Sequence, residues 1–320
     1  MTNLINLNIH AVTAFAPATC ANVAVGFDIL GFALENIGDE VTLTRREDNK
    51  IIINSINHID TSNSERLPFE INKNTASLVI QKLCQDLKIN AGFDINIKKN
   101  IPLSSGMGGS AASAVAALVA FNKFLTTPLS SHQLAHYALF GEELASGQAH
   151  ADNIIPCIFG GLTLICSHDP IEIIQLPIPD IYCVLIHPHL QVSTKEARKI
   201  LKPDVPLKDY VKQSANLAGF ISALYMQDLL LLKKSLMDII IEPQRAQFVP
   251  EFYKIKEAAI KSGALGMSLS GSGPSMFAFA ENKNTAEKIS KAMQDQLKKS
   301  NINSDVWISR ISKEAAHVLS

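Results

Sequence analysis

Residues 101–125, IPLSSGMGGSAASAVAALVAFNKFL, constrain the fold more than any other stretch. The pattern predicts a helix from about Ser110 to Leu125, and Ala111, Ala112, Ala114, Ala116 and Ala117 make it apolar nearly all round. Such a helix is stable in water only when other elements cover it on every side. Ahead of it, Gly106, Gly108 and Gly109 permit positive φ and keep side chains away from the backbone. Ser104, Ser105 and Ser110 add hydroxyls. The unpaired first amides and the positive dipole end of the helix face the same loop. Amides, hydroxyls and a helix terminus together suit an anion, phosphate above all. The same residues also fit a plain glycine turn leading into a core helix.

Covering this helix takes a large core, and 320 residues with 47% apolar and 18% charged content supply about two domains. The formal net charge of -1 provides no global field for nucleic acid or an anionic membrane, so an anionic ligand must be held by local groups. No lysine follows the glycines as a Walker A loop requires, no G-x-G-x-x-G joins a strand to a helix, and no HRD and DFG set exists. The amino terminus lacks a basic region followed by a long apolar stretch, so no export signal is expected. Asn122 and Lys123 interrupt the most apolar helix, which is too short to span a bilayer. Cys20, Cys84, Cys157, Cys166 and Cys183 form no CxxC pair and are expected to be reduced, in a cytoplasmic protein.

Strands are expected over Leu4 to Phe15, Phe27 to Leu34, Glu40 to Arg45, Lys50 to Asn54 and Gly92 to Lys99, with a helix from Thr75 to Leu87 capped by Asn74. Asn57 to Pro68 reads as an exposed loop. A helix from Ser131 to Ala145 precedes a loop, Ser146 to Pro156, and a strand, Gly161 to Ile165. After the proline-punctuated segment Pro170 to Pro179 come a strand, Tyr182 to His187, and helices Thr194 to Leu201, Leu207 to Met226, Leu229 to Ile240 and Glu251 to Ser262. Strands Gly266 to Ser270 and Ser275 to Ala280 flank a GSGP turn, and the helix Thr285 to Ser300 and strand Val306 to Ile311 close the chain. Strands and helices mix without strict alternation, which favours α+β over a doubly wound sheet. The domain boundary is expected near residues 166–180, giving units 1–168 and 169–320.

The segment PLSSGMGGSAA resembles PxxxGLGSSAA, the phosphate loop of the GHMP kinases, with Met107 for the usual leucine and Gly109 for the first serine. APATCANVAVGFDILGFAL is similar to the first motif of that family, and SLSGSGPS to the third. Three separated motifs in the right order are far more specific than any one. GEELASGQAHADNIIPCIFGG, VSTKEAR and IEPQR further resemble family members whose acceptor is L-homoserine. The resemblance implies a two-domain fold, with a ribosomal-protein-S5-like amino-terminal domain and a ferredoxin-like α/β sandwich at the carboxyl end. It implies transfer of the ATP γ-phosphoryl group to the side-chain hydroxyl of L-homoserine, within threonine biosynthesis, by a homodimer, while charge and composition predict a cytoplasmic protein that binds neither nucleic acid nor membrane. A mevalonate-type kinase and a non-catalytic sensor of the same fold are the alternatives.

The resemblance also implies roles. Pro102, Leu103, Ser104, Ser105, Gly106, Met107, Gly108, Gly109, Ser110, Ala111 and Ala112 would hold ATP, together with Asn74. Glu142 and Ser110 would hold Mg²⁺, since a phosphate-bound hard cation takes one or two protein oxygens and keeps waters. Arg198 and Arg245 would clamp the substrate carboxylate, a planar bidentate match; from the residues alone either arginine reads as a solvated surface charge. Asp28 would accept the ammonium, with Asn22, Asn153 and Gly271 at the remaining polar groups. Ser110, Asn153 and Thr194 would act at the reacting centre, Thr194 also suiting a helix N-cap and sharing a face with Arg198. Where mevalonate and galactose kinases carry an aspartate the motif has Asn153, implying in-line attack without a carboxylate base. Asp152, one residue earlier, keeps that question open, and with His150 it reads as a structural support. A Ser110–His150–Asp152 hydrolase has no GxSxG elbow behind it.

Overall fold

The alanine-rich helix lies between two sheets and their helices in the computed structural model, which describes residues 4–59, 66–147 and 149–319, except the side chains of 145 and 146. The part of the expected 57–68 loop that spans 60–65 lies outside the described residues. In chain order the elements are β1 (Ala11–Ala21), β2 (Leu30–Arg46), β3 (Ile51–His58), α1 (Thr75–Asp86), β4 (Gly92–Lys99), α2 (Gly109–Phe124), α3 (Ser131–Ser146), α4 (Ala151–Phe159), β5 (Leu162–His168) and β6 (Ile171–Leu176). There follow β7 (Tyr182–Pro188), α5 (Thr194–Lys199), α6 (Leu207–Met226), α7 (Leu229–Ser235), α8 (Glu242–Arg245) with a 3₁₀ turn (Ala246–Phe248), α9 (Phe252–Lys261), β8 (Gly266–Leu269), β9 (Met276–Ala280), α10 (Lys283–Lys299), β10 (Ser304–Ser309) and β11 (His317–Val318).

The first sheet runs β11-β1-β2-β4-β3, with β5 paired to β2 and β6 to β5. β3 and β4 are parallel, and α1 makes the crossover that a parallel pair needs. The second sheet, β10-β7-β9-β8, is antiparallel throughout. Its strands alternate. Cys183, Leu185, Phe277 and Phe279 enter the main core, while Val184, Ile186, Met276, Ala278 and Ala280 face a second core with α9 and α10. The Phe32 ring of β2 lies 5.9 Å from Phe277 and 5.5 Å from Phe279, so the two sheets share one interior. α2 is buried as its composition demands, and Phe121 and Phe124 pack on Phe93 of β4.

Several expectations shift. The first strand begins at Ala11 rather than Leu4 and continues to Ala21. The two strands expected between Phe27 and Arg45 are one, β2, which passes through a left-handed residue, Asn36 (φ 58°). α4 replaces most of the expected loop 146–156 and contains Pro156, where that loop was expected to end. Proline in a helix frees the carbonyl four residues back; here that is Asp152 O, which packs so close to Gly31 that a Cβ there would lie 1.9 Å away. α7 stops at Ser235, not Ile240, because the Asp238 carboxylate accepts from the amides of Ile240, Ile241 and Glu242 and starts α8. The expected division after residue 168 falls inside the β5–β6 hairpin; β6 belongs to the first sheet, and β11 returns from the far end of the chain to pair with β1. All five cysteines are free. Among the described residues no helix is long and apolar enough to cross a membrane.

Candidate active site

The glycine loop is shaped by steric necessity. Gly108, the residue before α2, has φ 68°, and a Cβ there would meet Thr19 Oγ1 at 2.1 Å and Asn153 Oδ1 at 2.8 Å. Gly106 has φ 76°, and its Cβ would meet the carbonyl oxygens of Ser270 at 2.5 Å and Gly273 at 2.7 Å. Only glycine fits either position. Hydrogen bonds fasten the loop to both halves of the chain: Thr19 N to Met107 O (3.1 Å), Ser270 Oγ to Gly106 O (2.7 Å) and Ser275 N to Ser105 O (3.2 Å). Among the described residues no side chain caps α2, so its first amides remain open to the cavity.

Beneath the loop lies a buried ion pair. Lys99, the last residue of β4, bonds to Asp39 of β2, to Gly109 O and to Ser113 Oγ (3.1 Å), while Asp39 Oδ1 accepts from the amides of Asn100 and Ile101, both at 3.0 Å. This accounts for the glycine at 109. A Cβ there would lie 2.9 Å from Lys99 Nζ and 3.2 Å from Ile101 Cγ2, in the space the ammonium uses to reach the helix's first carbonyl.

The cavity above has a volume of ≈ 340 Å³ and gathers residues from distant parts of the sequence. Of the expected nucleotide residues, Pro102, Leu103, Ser104, Ser105, Gly106, Gly108, Gly109, Ser110, Ala111 and Asn74 line it. Met107 and Ala112 are wholly buried in the core and anchor the loop from behind. Asn74 caps α1: its Oδ1 accepts from Ala76 N, and its Nδ2 donates to Pro68 O, each at 3.1 Å. Ser105 Oγ is buried at the cavity and has no hydrogen-bond partner among the described residues.

Asn22, Asp28, Asn153, Thr194, Arg198, Arg245 and Gly271 line the same cavity. Asn22 Nδ2 donates to Gly271 O (2.9 Å) and its Oδ1 accepts from Asp28 N (3.0 Å). Asp28 sits in a turn ahead of β2, not within a strand as expected, and Arg198 Nη1 donates to its Oδ2 at 2.6 Å. Arg245 donates through Nε to Ala197 O (3.1 Å) and through Nη1 to Gly271 O (3.2 Å). Burial and the neighbouring Arg198 charge lower its pKa. The N-cap of α5 is Ser193, whose Oγ accepts from Glu196 N, and not Thr194 as expected. The Thr194 hydroxyl meets Ser272 Oγ at 3.3 Å instead.

Glu142 of α3 and His150, just ahead of α4, also line the cavity, with His150 Nδ1 3.4 Å from Glu142 Oε1. That hydrogen bond raises the His150 pKa against the opposing effect of burial. Asp152 also lines the cavity, and burial, with Asp28 nearby, pushes its carboxyl up to about 6. Thr19 donates through Oγ1 to Asn153 Oδ1 at 2.8 Å. Sequence reasoning missed Thr19, Asp39, Lys99 and Ser113. Lys99 and Ser113 carried a signal, since they flank the glycine loop, whereas Thr19 and Asp39 join it only through pairing of β1, β2 and β4. Among the described residues no group of three or more His, Cys, Asp or Glu could hold a metal.

Comparison with known proteins follows the same lines. Residues 74–161 match the model of the GHMP kinases N terminal domain, and residues 220–299 that of the GHMP kinases C terminal domain. The homoserine kinase of Chlorobium phaeobacteroides (strain BS1) is 44% identical, over 96% of this chain and 99% of that protein. The crystal structure of homoserine kinase from Cytophaga hutchinsonii superposes with a TM-score of 0.93 at 42% identity, covering 98% of this chain and 99% of the other. Mevalonate kinase of L. major, solved with R-mevalonate, shares the fold at a TM-score of 0.73 and 16% identity, over 98% of each chain.

Proposed function

The chain belongs to the GHMP kinase family, and from that premise we infer that it transfers the γ-phosphoryl group of ATP to the side-chain hydroxyl of L-homoserine. The observation that carries this acceptor is the Asp28–Arg198 ion pair with Arg245 beside it on the cavity wall. A zwitterion can enter such a pair without stranding a charge: its carboxylate takes the arginine forks as its ammonium takes Asp28. A hydroxy acid without an ammonium, such as mevalonate, would compete with Asp28 for Arg198 and leave that carboxylate unmatched near Asp152.

ATP phosphates fit the glycine loop, where open helix amides, the Ser110 hydroxyl and the unpartnered Ser105 hydroxyl converge. A Mg²⁺ ion fits as well, since the Glu142 carboxylate and Ser110 hydroxyl border one cavity and such an ion needs one or two protein oxygens. When bound it would neutralise charge on the phosphates. The chain's own residues position the reactants, which is most of what phosphoryl transfer asks. Asn153, its Oδ1 engaged by Thr19, offers Nδ2 to the acceptor oxygen and so orients the hydroxyl without removing its proton. The bond from that oxygen to the γ-phosphorus forms as the bond to the bridging oxygen of ADP breaks, and the proton passes to a phosphoryl oxygen.

Assay of the pure protein with ATP, Mg²⁺ and L-homoserine, 4-hydroxybutanoate, 3-aminopropan-1-ol or mevalonate tests this. L-Homoserine should exceed each of the others in kcat/KM by about 100-fold or more, since each analogue leaves either Asp28 or the arginine pair at the cavity wall without its charged partner. Comparable turnover of mevalonate would sink the assignment, and no turnover of any alcohol would favour a non-catalytic sensor.

A further inference from the structure

Between β1 and β2 the backbone makes a left-handed turn, with φ of 69° at Asn22, 44° at Val23 and 58° at Ala24, and again 63° at Asp28. A β-branched residue at positive φ is an outlier, and such strain persists only where the surroundings over-determine it. Here Val23 is buried in the main core, and Val25 N bonds to Val23 O (2.8 Å) and Gly26 N to Asn22 O (2.9 Å). The turn delivers three side chains in order. Asn22 ties Gly271 to Asp28, Asp28 pairs with Arg198, and Phe27 stands between these two with a role that motif and cavity leave unstated.

The guanidinium carbons of Arg198 and Arg245 each lie 5.0 Å from the Phe27 ring centroid. Two cations converging on one site repel each other. Asp28 answers Arg198, but the hydrogen bonds of Arg245 run to neutral carbonyls. The negative face of an aromatic ring attracts a guanidinium without competing for its N–H donors.

We propose that Phe27 is a positioning residue for the acceptor carboxylate: its ring holds the guanidiniums of Arg198 and Arg245 together at the cavity wall, so that both meet one carboxylate. The proposal rests on the reading that these arginines bind L-homoserine.

Steady-state kinetics of the full-length protein test it, with L-homoserine and ATP varied in turn. Phe27→Leu keeps apolar bulk and removes the π face, whereas Phe27→Tyr keeps both. The leucine variant should raise KM for L-homoserine about tenfold or more while KM for ATP stays within about twofold, and the tyrosine variant should stay near the unsubstituted protein. Pentafluorophenylalanine at position 27 preserves the shape and reverses the ring's electrostatics. It should match the leucine variant, and it serves should Phe27→Leu fail to fold. An unchanged KM for L-homoserine, an equal rise in both KM values, or a tyrosine variant as impaired as the leucine one would overturn the role. No turnover of L-homoserine by the unsubstituted protein would overturn the substrate reading and this proposal together, so the two failures are distinguishable.

Discussion

Asp152 carries an unusual electrostatic load: its carboxyl is buried at the cavity and pushed from 3.8 up to about 6, by burial first and then by Asp28. Because the folded-state pKa exceeds the unfolded one, its contribution to stability is fully present below about pH 4 and is lost as pH rises through about 6. Asp152→Asn removes that dependence. The variant's melting temperature relative to the parent should rise between pH 5 and pH 8, by the equivalent of about 1.4 kcal/mol. A difference that does not move with pH would contradict the assignment. The same variant addresses the proton. If the acceptor hydroxyl attacks directly, kcat should fall less than about tenfold, because general-base catalysis contributes about 10²–10⁴-fold where it operates. A loss of several orders of magnitude with unchanged KM would make Asp152 the base. The sequence marked Asp152 and His150 as supports, and their spacing could not disclose that both face the cavity.

At the scale of elements, the Asp39–Lys99 pair joins β2, the end of β4 and the first turn of α2 under the glycine loop. Removing one member of a buried pair strands the other charge and costs about 3–5 kcal/mol, whereas replacing both with apolar groups costs far less. Urea unfolding should therefore rank Asp39→Leu and Lys99→Met as each more destabilising than the double variant. Additive losses would show that the pair does not act as a unit. The single variants should also raise KM for ATP, since the amides proposed to face the phosphates sit on the turn this pair holds. α2 itself was legible because its signals lie within one window: glycines, serines, then an uncharged alanine run. α4 was not, because Pro156 breaks a helix by local rules and is accommodated only where β2 brings Gly31 beneath the freed carbonyl.

For the whole molecule, the consequential feature is a core shared by both sheets. Phe277 and Phe279 of the second sheet pack on Phe32 of the first, and β11 returns to extend the first sheet after β10 has closed the second. The single tryptophan, Trp307, sits on β10 and packs against that shared core. Its fluorescence reports the second sheet, while far-UV circular dichroism reports the whole chain. In urea the two should give coincident midpoints and one cooperative transition. Separate midpoints would mean that the halves unfold independently. The cavity depends on this union, since the loop bonds Ser270 Oγ–Gly106 O and Ser275 N–Ser105 O cross between the two halves.

The sequence by itself determined the elements whose cues are local: α1 with its Asn74 cap, β4, α2 behind its glycine loop, α6, and the motifs that name the family. Caps, glycines and hydrophobic periodicity act within a few residues and so can be read along the chain. Only the tertiary structure decided that Asp28 meets Arg198 across 170 positions, that Lys99 meets Asp39, and that Phe27 lies beneath two arginines. Charge pairing and ring stacking depend on distance in space, and strand pairing sets that distance between segments whose spacing carries no trace of it.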